Sequence, residues 1–160
     1  LDRGDVTEYR IIGTGEYFEA ANFCRQQLGL KDSVALLGAM PPQSVREQMA
    51  WADVFLHTAV SEGFCNAVIE AQAMKLPVVC SDADGLSENV EHGHTGFVVE
   101  RRDAKGFADR LEQLARDGEL RCRMGIIGRG RVLTRYQLDG QVQAFAELYS
   151  SISASEMTAK

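Results

Sequence analysis

An α/β fold built on a Rossmann-like parallel sheet with helices on both faces is what this sequence predicts. Two observations carry that expectation. Short β-rich runs alternate with amphipathic stretches along most of the chain, an order that calls for parallel strands joined by helical crossovers. In addition, the segment Glu62-Gly-Phe-Cys-Asn-Ala-Val-Ile-Glu70 leads from a strand-like run across a loop into a helix and carries a carboxylate at each end. In open parallel sheets the crevice at the strands' carboxyl ends is where ligands bind.

Each element follows from local pattern. Tyr9 to Gly13 reads as the first strand, and Gly13-Thr14-Gly15 after it as a tight turn into a helix. A dinucleotide fingerprint would require a third glycine where the chain has Phe18, whose bulk blocks the close helix-to-strand approach. Val34 to Gly38 is the second strand, and Pro41-Pro42 leads into a helix through Trp51 that Ser44 and Glu47 suit as a capping box. Val54 to Thr58 is the third strand, with Val54-Phe55-Leu56 expected to be buried, and Ala67, Glu70, Ala71 and Met74 then follow at helical spacing. Val78 to Ser81 and Gly96 to Val99 are the fourth and fifth strands, separated by an acidic turn, Asp82-Ala-Asp84-Gly85, and a short helix to Val90. Asp103 suits the N-cap of a helix that turns Phe107, Leu111 and Leu114 to the sheet and stops near Gly118. Glu119 to Thr134 and Leu138 to Ile152 are helical with no strand between them, so they pack beside the sheet or reach a neighbouring domain. Residues 1–152 read as one domain and the small, polar stretch 153–160 as a frayed tail.

Bulk properties narrow the function. With 23 acidic residues against 17 Lys plus Arg and a net charge of -6, the chain lacks the clustered positive charge of a nucleic-acid surface. Cys24, Cys65, Cys80 and Cys122 are far apart and form no Cys-x-x-Cys pair, a pattern that suits reduced thiols in a cytoplasmic protein. No apolar run approaches the ~18 to 20 residues that span a bilayer, which leaves only peripheral contact with the inner face of a membrane open. The chain begins at Leu1 rather than Met and so reads as a piece of a longer protein.

The candidate site centres on Glu62 and Glu70. A lone acid near a helix start needs no function, since it complements the helix dipole. Here Ala67-Val68-Ile69 implies a buried helix, on which a Glu70 carboxylate requires a hydrogen-bond partner, and ribose hydroxyls would supply one. Asn66 is a candidate cap for that helix, leaving the following amides free for phosphate oxygens. His57, one loop before Glu62, is in reach of the same crevice or is a hydrogen-bonded structural residue. His92-x-His94 beside Glu91 has metal-ligand spacing but no convincing third ligand, so no metal site is expected. Arg121, Arg123, Arg129, Arg131 and Arg135 read as a solvated face or a domain contact.

These motifs resemble a known family. Glu62-Gly63-Phe64-x-Asn66-x-x-x-Glu70-Ala71, Pro77-Val78-Val79-x-Ser81, Gly85-x-x-Glu88 and Gly93-x-x-Gly96-Phe97 look like the C-terminal donor domain of retaining glycosyltransferases of family four, which have the GT-B fold. The likeness covers nearly the whole chain. It implies a transferase that moves a sugar from a nucleoside diphosphate sugar to a saccharide or lipid-linked acceptor, as in polysaccharide biosynthesis, with no obligatory metal and no cofactor. By position, Glu62 would be catalytic, supporting the positive charge that develops at the donor carbon. The segment Gly63, Phe64, Cys65, Asn66 and Ala67 would hold sugar and diphosphate, Glu70 the ribose, and Gly38, Ala39 and Met40 would flank the base.

Three positions depart from the family pattern: Cys65, Asp84 and Lys75 each stand where glycine is usual. Cys65 would narrow the sugar pocket, and Asp84 would bring negative charge toward the diphosphate unless turned away. The resemblance further implies that the family's first strand and helix, with an Arg and Lys pair that grips the diphosphate, are missing before Tyr9, and that the acceptor domain lies elsewhere. The 160 residues alone are then expected to be inactive. Two rival readings share the fold: a noncatalytic nucleotide-binding or scaffolding domain, and a nucleotide-sugar epimerase.

Overall fold

The computed structural model describes residues 8–158, with side chains to residue 152. The stretch before Tyr9 and the end of the tail expected at 153–160 therefore lie largely outside the described residues. Five strands and seven helices alternate in the order β1 (Tyr9–Ile12), α1 (Phe18–Gln27), β2 (Val34–Gly38), α2 (Pro42–Trp51), β3 (Phe55–His57), α3 (Asn66–Ala73), β4 (Val78–Ser81), α4 (Leu86–Asn89), β5 (Gly96–Val99), α5 (Ala104–Arg116), α6 (Gly118–Arg135) and α7 (Leu138–Thr158). All pairing is parallel, as the alternation predicts, and the strands form two sheets, β1-β2 and β3-β4-β5. The chain divides into two compact units, the first ending at Ala50 and the second beginning at Trp51.

In the first unit Tyr9 pairs with Val34 and Ile12 with Gly38, with a register shift between Ile11 and Ile12. The tight turn predicted after β1 is present: Gly13, at φ 126°, donates its N–H to the Gly38 carbonyl at 2.8 Å. The capping box is not. Helix α2 begins at Pro42, so Ser44 lies inside its first turn rather than at its cap. Proline suits that opening position because the first helical amide has no intrahelical partner to lose.

The second unit holds the core. Val79, Phe97 and Val99 from the sheet pack with Phe107 and Leu114 of α5 and with Leu120 and Met124 of α6, and Val54, Leu56 and Leu111 lie partly buried against them. Central strand β4 is wholly buried, whereas β3, an edge of its sheet, is only half-buried, short of the burial its apolar run predicts. Asp103 caps α5 as expected, accepting from the Gly106 amide at 2.9 Å, and Asp117 caps α6 by accepting from Leu120 N–H at 2.8 Å. Two α6 arginines expected to face solvent do more than that. Arg121 donates to the Leu114 and Ala115 carbonyls at the end of α5, and Arg131 to the Glu88 and Asn89 carbonyls at the end of α4. Cationic side chains there satisfy carbonyls that a helix leaves unpaired.

Helix α3 ends in a Schellman turn. Leu76 N–H donates to the Ala71 carbonyl at 3.0 Å and Lys75 N–H to Gln72 at 2.9 Å, with Lys75 in the left-handed conformation at φ 63°. That conformation is why glycine is usual at this position. Gly125 of α6 backs directly onto the turn, since a Cβ on it would stand 2.1 Å from the Lys75 carbonyl oxygen. Helix α7 stays helical past the expected Ile152 boundary. Its Leu138, Val142, Phe145, Tyr149 and Ile152 are exposed within the structure.

Candidate functional site

His57 is the last residue of β3, pairing with Cys80 of β4, so the chain leaves the sheet at its carboxyl edge and enters the loop that carries Glu62. The neighbouring β4 side pins that loop. Ser81 Oγ donates to the Ala59 carbonyl, Gly85 N–H to the Glu62 carbonyl at 3.1 Å, and Arg101 Nη1 to the Val60 carbonyl at 3.2 Å. Within the loop, His57 Nε2 lies 3.3 Å from Glu62 Oε2 and 3.5 Å from Cys65 Sγ. His57 is thus hydrogen-bonded within the loop that carries Glu62, a geometry that suits either reading of it.

The helix start differs from expectation by one residue. Cys65, in extended conformation at φ -90° and ψ 100°, is the N-cap of α3, and Asn66 is exposed inside the first turn without a capping bond. Asn89 decides this: its Oδ1 accepts the Cys65 N–H at 3.1 Å and fixes the backbone there. Glu70 also differs. It is exposed, as is Asn66 four residues earlier on the same helical face, while Val68, Ala71 and Gln72 turn inward. A buried carboxylate in need of a partner is therefore not what the helix carries; Glu70 presents its carboxylate to solvent.

Cys65 feels both carboxylates. Burial pushes the Cys65 thiol up; the Val68 and Ala67 amides oppose it, and the charges of Glu62 and Glu70 both add to it. Both acids thus act on a single sulfur. Cys80, deeper in the sheet, is pushed up to about 12 by burial and by Cys65. All four cysteines are free thiols, Cys24 and Cys122 exposed and the other two buried.

The loop after β4 carries its acids turned aside. Asp84 Oδ2 accepts from Ser61 Oγ at 3.0 Å and its other oxygen lies 3.9 Å from Arg101 Nη1, while Asp82 Oδ1 accepts from Arg101 N and Nε at 2.9 and 3.1 Å. Asp84 sits at φ 26°, a backbone conformation that favours glycine. Phe64 is exposed, with its ring edge-on to Tyr136 at 5.5 Å. The structure thus brings Glu62, Gly63, Phe64, Cys65, Asn66, Ala67 and Glu70 together on one strand end, loop and helix. Gly38, Ala39 and Met40 lie at the carboxyl end of β2 in the first unit, with Gly38 at φ 70°. His92 is engaged in closing its own turn, its Nδ1 accepting the Val98 N–H at 3.1 Å.

Two residues of the site's framework, Asn89 and Arg101, escaped the sequence reading, as did the anchoring role of Arg131. Asn89 is buried; beyond holding Cys65, its carbonyl accepts from Gln72 Nε2 and Arg131 Nη1, each at 2.8 Å. Arg101 joins the β3 and β4 loops, and Arg131 anchors α4. A polar residue ending a four-residue helix and two surface arginines leave no periodic signal to find.

Residues 1–131 match the sequence family described as Glycosyl transferases group 1. The chain belongs to this family. Among relatives of this group 1 chain, N-acetyl-alpha-D-glucosaminyl L-malate synthase of Bacillus anthracis is 28% identical over 150 residues, 94% of the chain and 39% of the relative. The putative colanic acid biosynthesis glycosyltransferase WcaL of Escherichia coli K12 is 34% identical over 116 residues, 69% of the chain and 29% of the relative. In structure, Anabaena Alr3699/HepE in complex with UDP-glucose superposes with a TM-score of 0.83 at 26% identity, over 90% of this chain and 41% of that one. The fold is that of the Rossmann-like C-terminal domain of GT-B glycosyltransferases. The group 1 chain spans well under half the length of these relatives. No helix among its described residues is long and apolar enough to cross a membrane.

Proposed function

We propose that the chain is the donor-binding half of a retaining glycosyltransferase that transfers a sugar from a nucleoside diphosphate sugar to a saccharide or lipid-linked acceptor. One observation carries the reading: the Glu62 carboxylate stands beside His57 at the carboxyl edge of β3, immediately before a helix that exposes Glu70. As the bond from sugar to diphosphate breaks, positive charge grows at the sugar carbon, and a carboxylate already held in place stabilises it without reorganisation. The opening amides of α3, among them the Ala67 and Val68 amides that face the Cys65 sulfur, carry the partial positive charge of a helix start, which suits the departing diphosphate. Glu70, on an exposed face, accepts from the ribose hydroxyls. Gly38, Ala39 and Met40 flank the base in this reading.

The UDP-glucose held by the Anabaena neighbour supports a nucleotide-sugar donor, and the colanic acid relative supports a saccharide acceptor. The reaction calls for no cofactor, and the parent works in the cytoplasm with peripheral membrane contact where the acceptor is lipid-linked. Calorimetric titration of the full-length protein with UDP, GDP and ADP tests the reading. One nucleotide is expected to bind well above the others, and Glu70→Ala to weaken it by about 1.5 to 3 kcal/mol, the range for a hydrogen bond to a charged group. Unchanged affinity in Glu70→Ala makes Glu70 structural and removes the ribose assignment.

A further inference from the structure

His57, Glu62 and Cys65 meet from three different elements, a strand end, a loop and a helix cap. Their ligand-type atoms, Nε2, a carboxylate oxygen and Sγ, all lie within 4.8 Å of one another. Nε2 alone cannot both donate to Glu62 and accept the Cys65 S–H, and the Ala67 and Val68 amides also face the sulfur. With its proton on Nε2, His57 donates to Glu62 and has no lone pair there for the Cys65 S–H; with its proton on Nδ1, it accepts from Cys65 but turns that lone pair on the Glu62 carboxylate as well. A cation that accepts an electron pair from each atom resolves the conflict.

We propose that His57, Glu62 and Cys65 bind a thiophilic divalent cation, of which zinc is the best match. Tetrahedral zinc with ordinary bond lengths sets its nitrogen and oxygen ligands about 3.4 Å apart and its nitrogen and sulfur ligands about 3.6 Å apart. The two separations from Nε2 are 3.3 and 3.5 Å, and the carboxylate oxygen and the sulfur lie within 4.8 Å of each other, an edge that closes on the ion as it binds. One imidazole, one carboxylate and one thiolate exceed what magnesium or calcium prefers, and sulfur selects the softer metal. The carboxylate and thiolate together neutralise the ion. The His57 and Glu62 side chains are 26% and 32% exposed, which gives the ion an entry path and leaves a fourth position open. His92 and His94, which have metal-like spacing in sequence, are not involved.

A bound ion would engage the carboxylate assigned above to the donor sugar, so the site is inhibitory rather than catalytic. That consequence rests on the proposed function, whereas metal binding itself does not. The test uses the full-length protein with Cys24→Ser and Cys122→Ser, which removes the two exposed thiols of these residues. Titration with Co2+ is expected to give a thiolate-to-cobalt charge-transfer band that Cys65→Ser abolishes, and Zn2+ is expected to bleach it. Serine is itself a favoured N-cap, so that variant retains the helix start. Competition with a chromophoric chelator should show Zn2+ affinity at least about tenfold weaker in His57→Ala, given that even outer-shell changes cost 10- to 100-fold, and Mg2+ should not compete. Absence of the band, its persistence in Cys65→Ser, or unchanged Zn2+ affinity in His57→Ala overturns the proposal. In the full-length protein, nucleotide binding that fails with all metal chelated, while Co2+ still gives the band, overturns the donor reading alone; metal-free nucleotide binding without a cobalt band overturns the metal site alone.

Discussion

The Gly85 amide donates to the Glu62 carbonyl at 3.1 Å, and a Cβ on Gly85 would stand 2.4 Å from the Gly63 carbonyl oxygen. The loop that presents Glu62 therefore rests, backbone on backbone, on the loop after β4. Gly85→Ala is expected to force the two apart at a cost of about 1 to 3 kcal/mol, as overpacking does elsewhere, and to reduce turnover by displacing Glu62. Urea unfolding of the variant with a midpoint equal to the parent's would show that the loops part freely.

Glu62→Gln retains shape but removes the charge proposed to support the reacting carbon. In the full-length enzyme, kcat should fall about a hundredfold or more, as when other preorganised electrostatic groups are removed, with the donor KM little changed. Normal kcat with a raised KM would make Glu62 a ground-state ligand.

Gly125 and Gly130 lie on the same helix, yet they should respond oppositely to alanine. At Gly125 the new methyl meets the Lys75 carbonyl at 2.1 Å, so Gly125→Ala pushes α6 off α3 and costs about 1 to 3 kcal/mol. At Gly130 nothing lies within 4 Å, so Gly130→Ala gains up to about 1 kcal/mol from helix propensity. Thermal unfolding of the two variants side by side checks both signs.

Lys75→Gly should raise stability. A side chain in the left-handed conformation costs about 1 to 2 kcal/mol, part of which glycine returns through the freer unfolded chain. A net gain of about 0.5 to 1 kcal/mol is expected, read as a higher urea midpoint at constant slope.

Thiol alkylation at pH 8 should modify Cys24 and Cys122 first, Cys65 slowly and Cys80 last. The thiolate is the reactive form, and burial raises the pKa of both inner thiols. With Cys80 pushed up to about 12, only about one molecule in ten thousand carries its thiolate at pH 8. Raising the pH should speed the labelling of Cys65 and Cys80. Mass spectrometry of labelled peptides gives the order, and early labelling of Cys80 would mean that β4 opens readily.

Strand positions were legible because β-rich runs bounded by turns constrain both ends of an element. Val34–Gly38, Val78–Ser81 and Gly96–Val99 match the reading residue for residue. The loop between Glu62 and Glu70 was legible because its chemistry is local. What long-range contacts decide was not. Asn66 has a capping side chain, yet Asn89, 24 residues beyond Cys65, draws the cap back to that residue. Glu70 was expected on a buried helix because its apolar neighbours are adjacent in sequence; the helix instead rotates Asn66 and Glu70 outward together. Gly125 gave no sign of its role, since a glycine in a helix acquires meaning only from the carbonyl it faces.

Helix α3 is held at both ends. Asn89 grips the residue that caps its start, and α6 abuts the Schellman turn at its finish. A helix of this length, eight residues at 1.5 Å each, is a rod about 12 Å long. A rod clamped in this way transmits displacement rather than absorbing it. Movement of α6 at the rear of the domain would therefore arrive at Cys65 and the first amides of α3, making the α3–α6 seam a mechanical lever on the face where Glu70 stands.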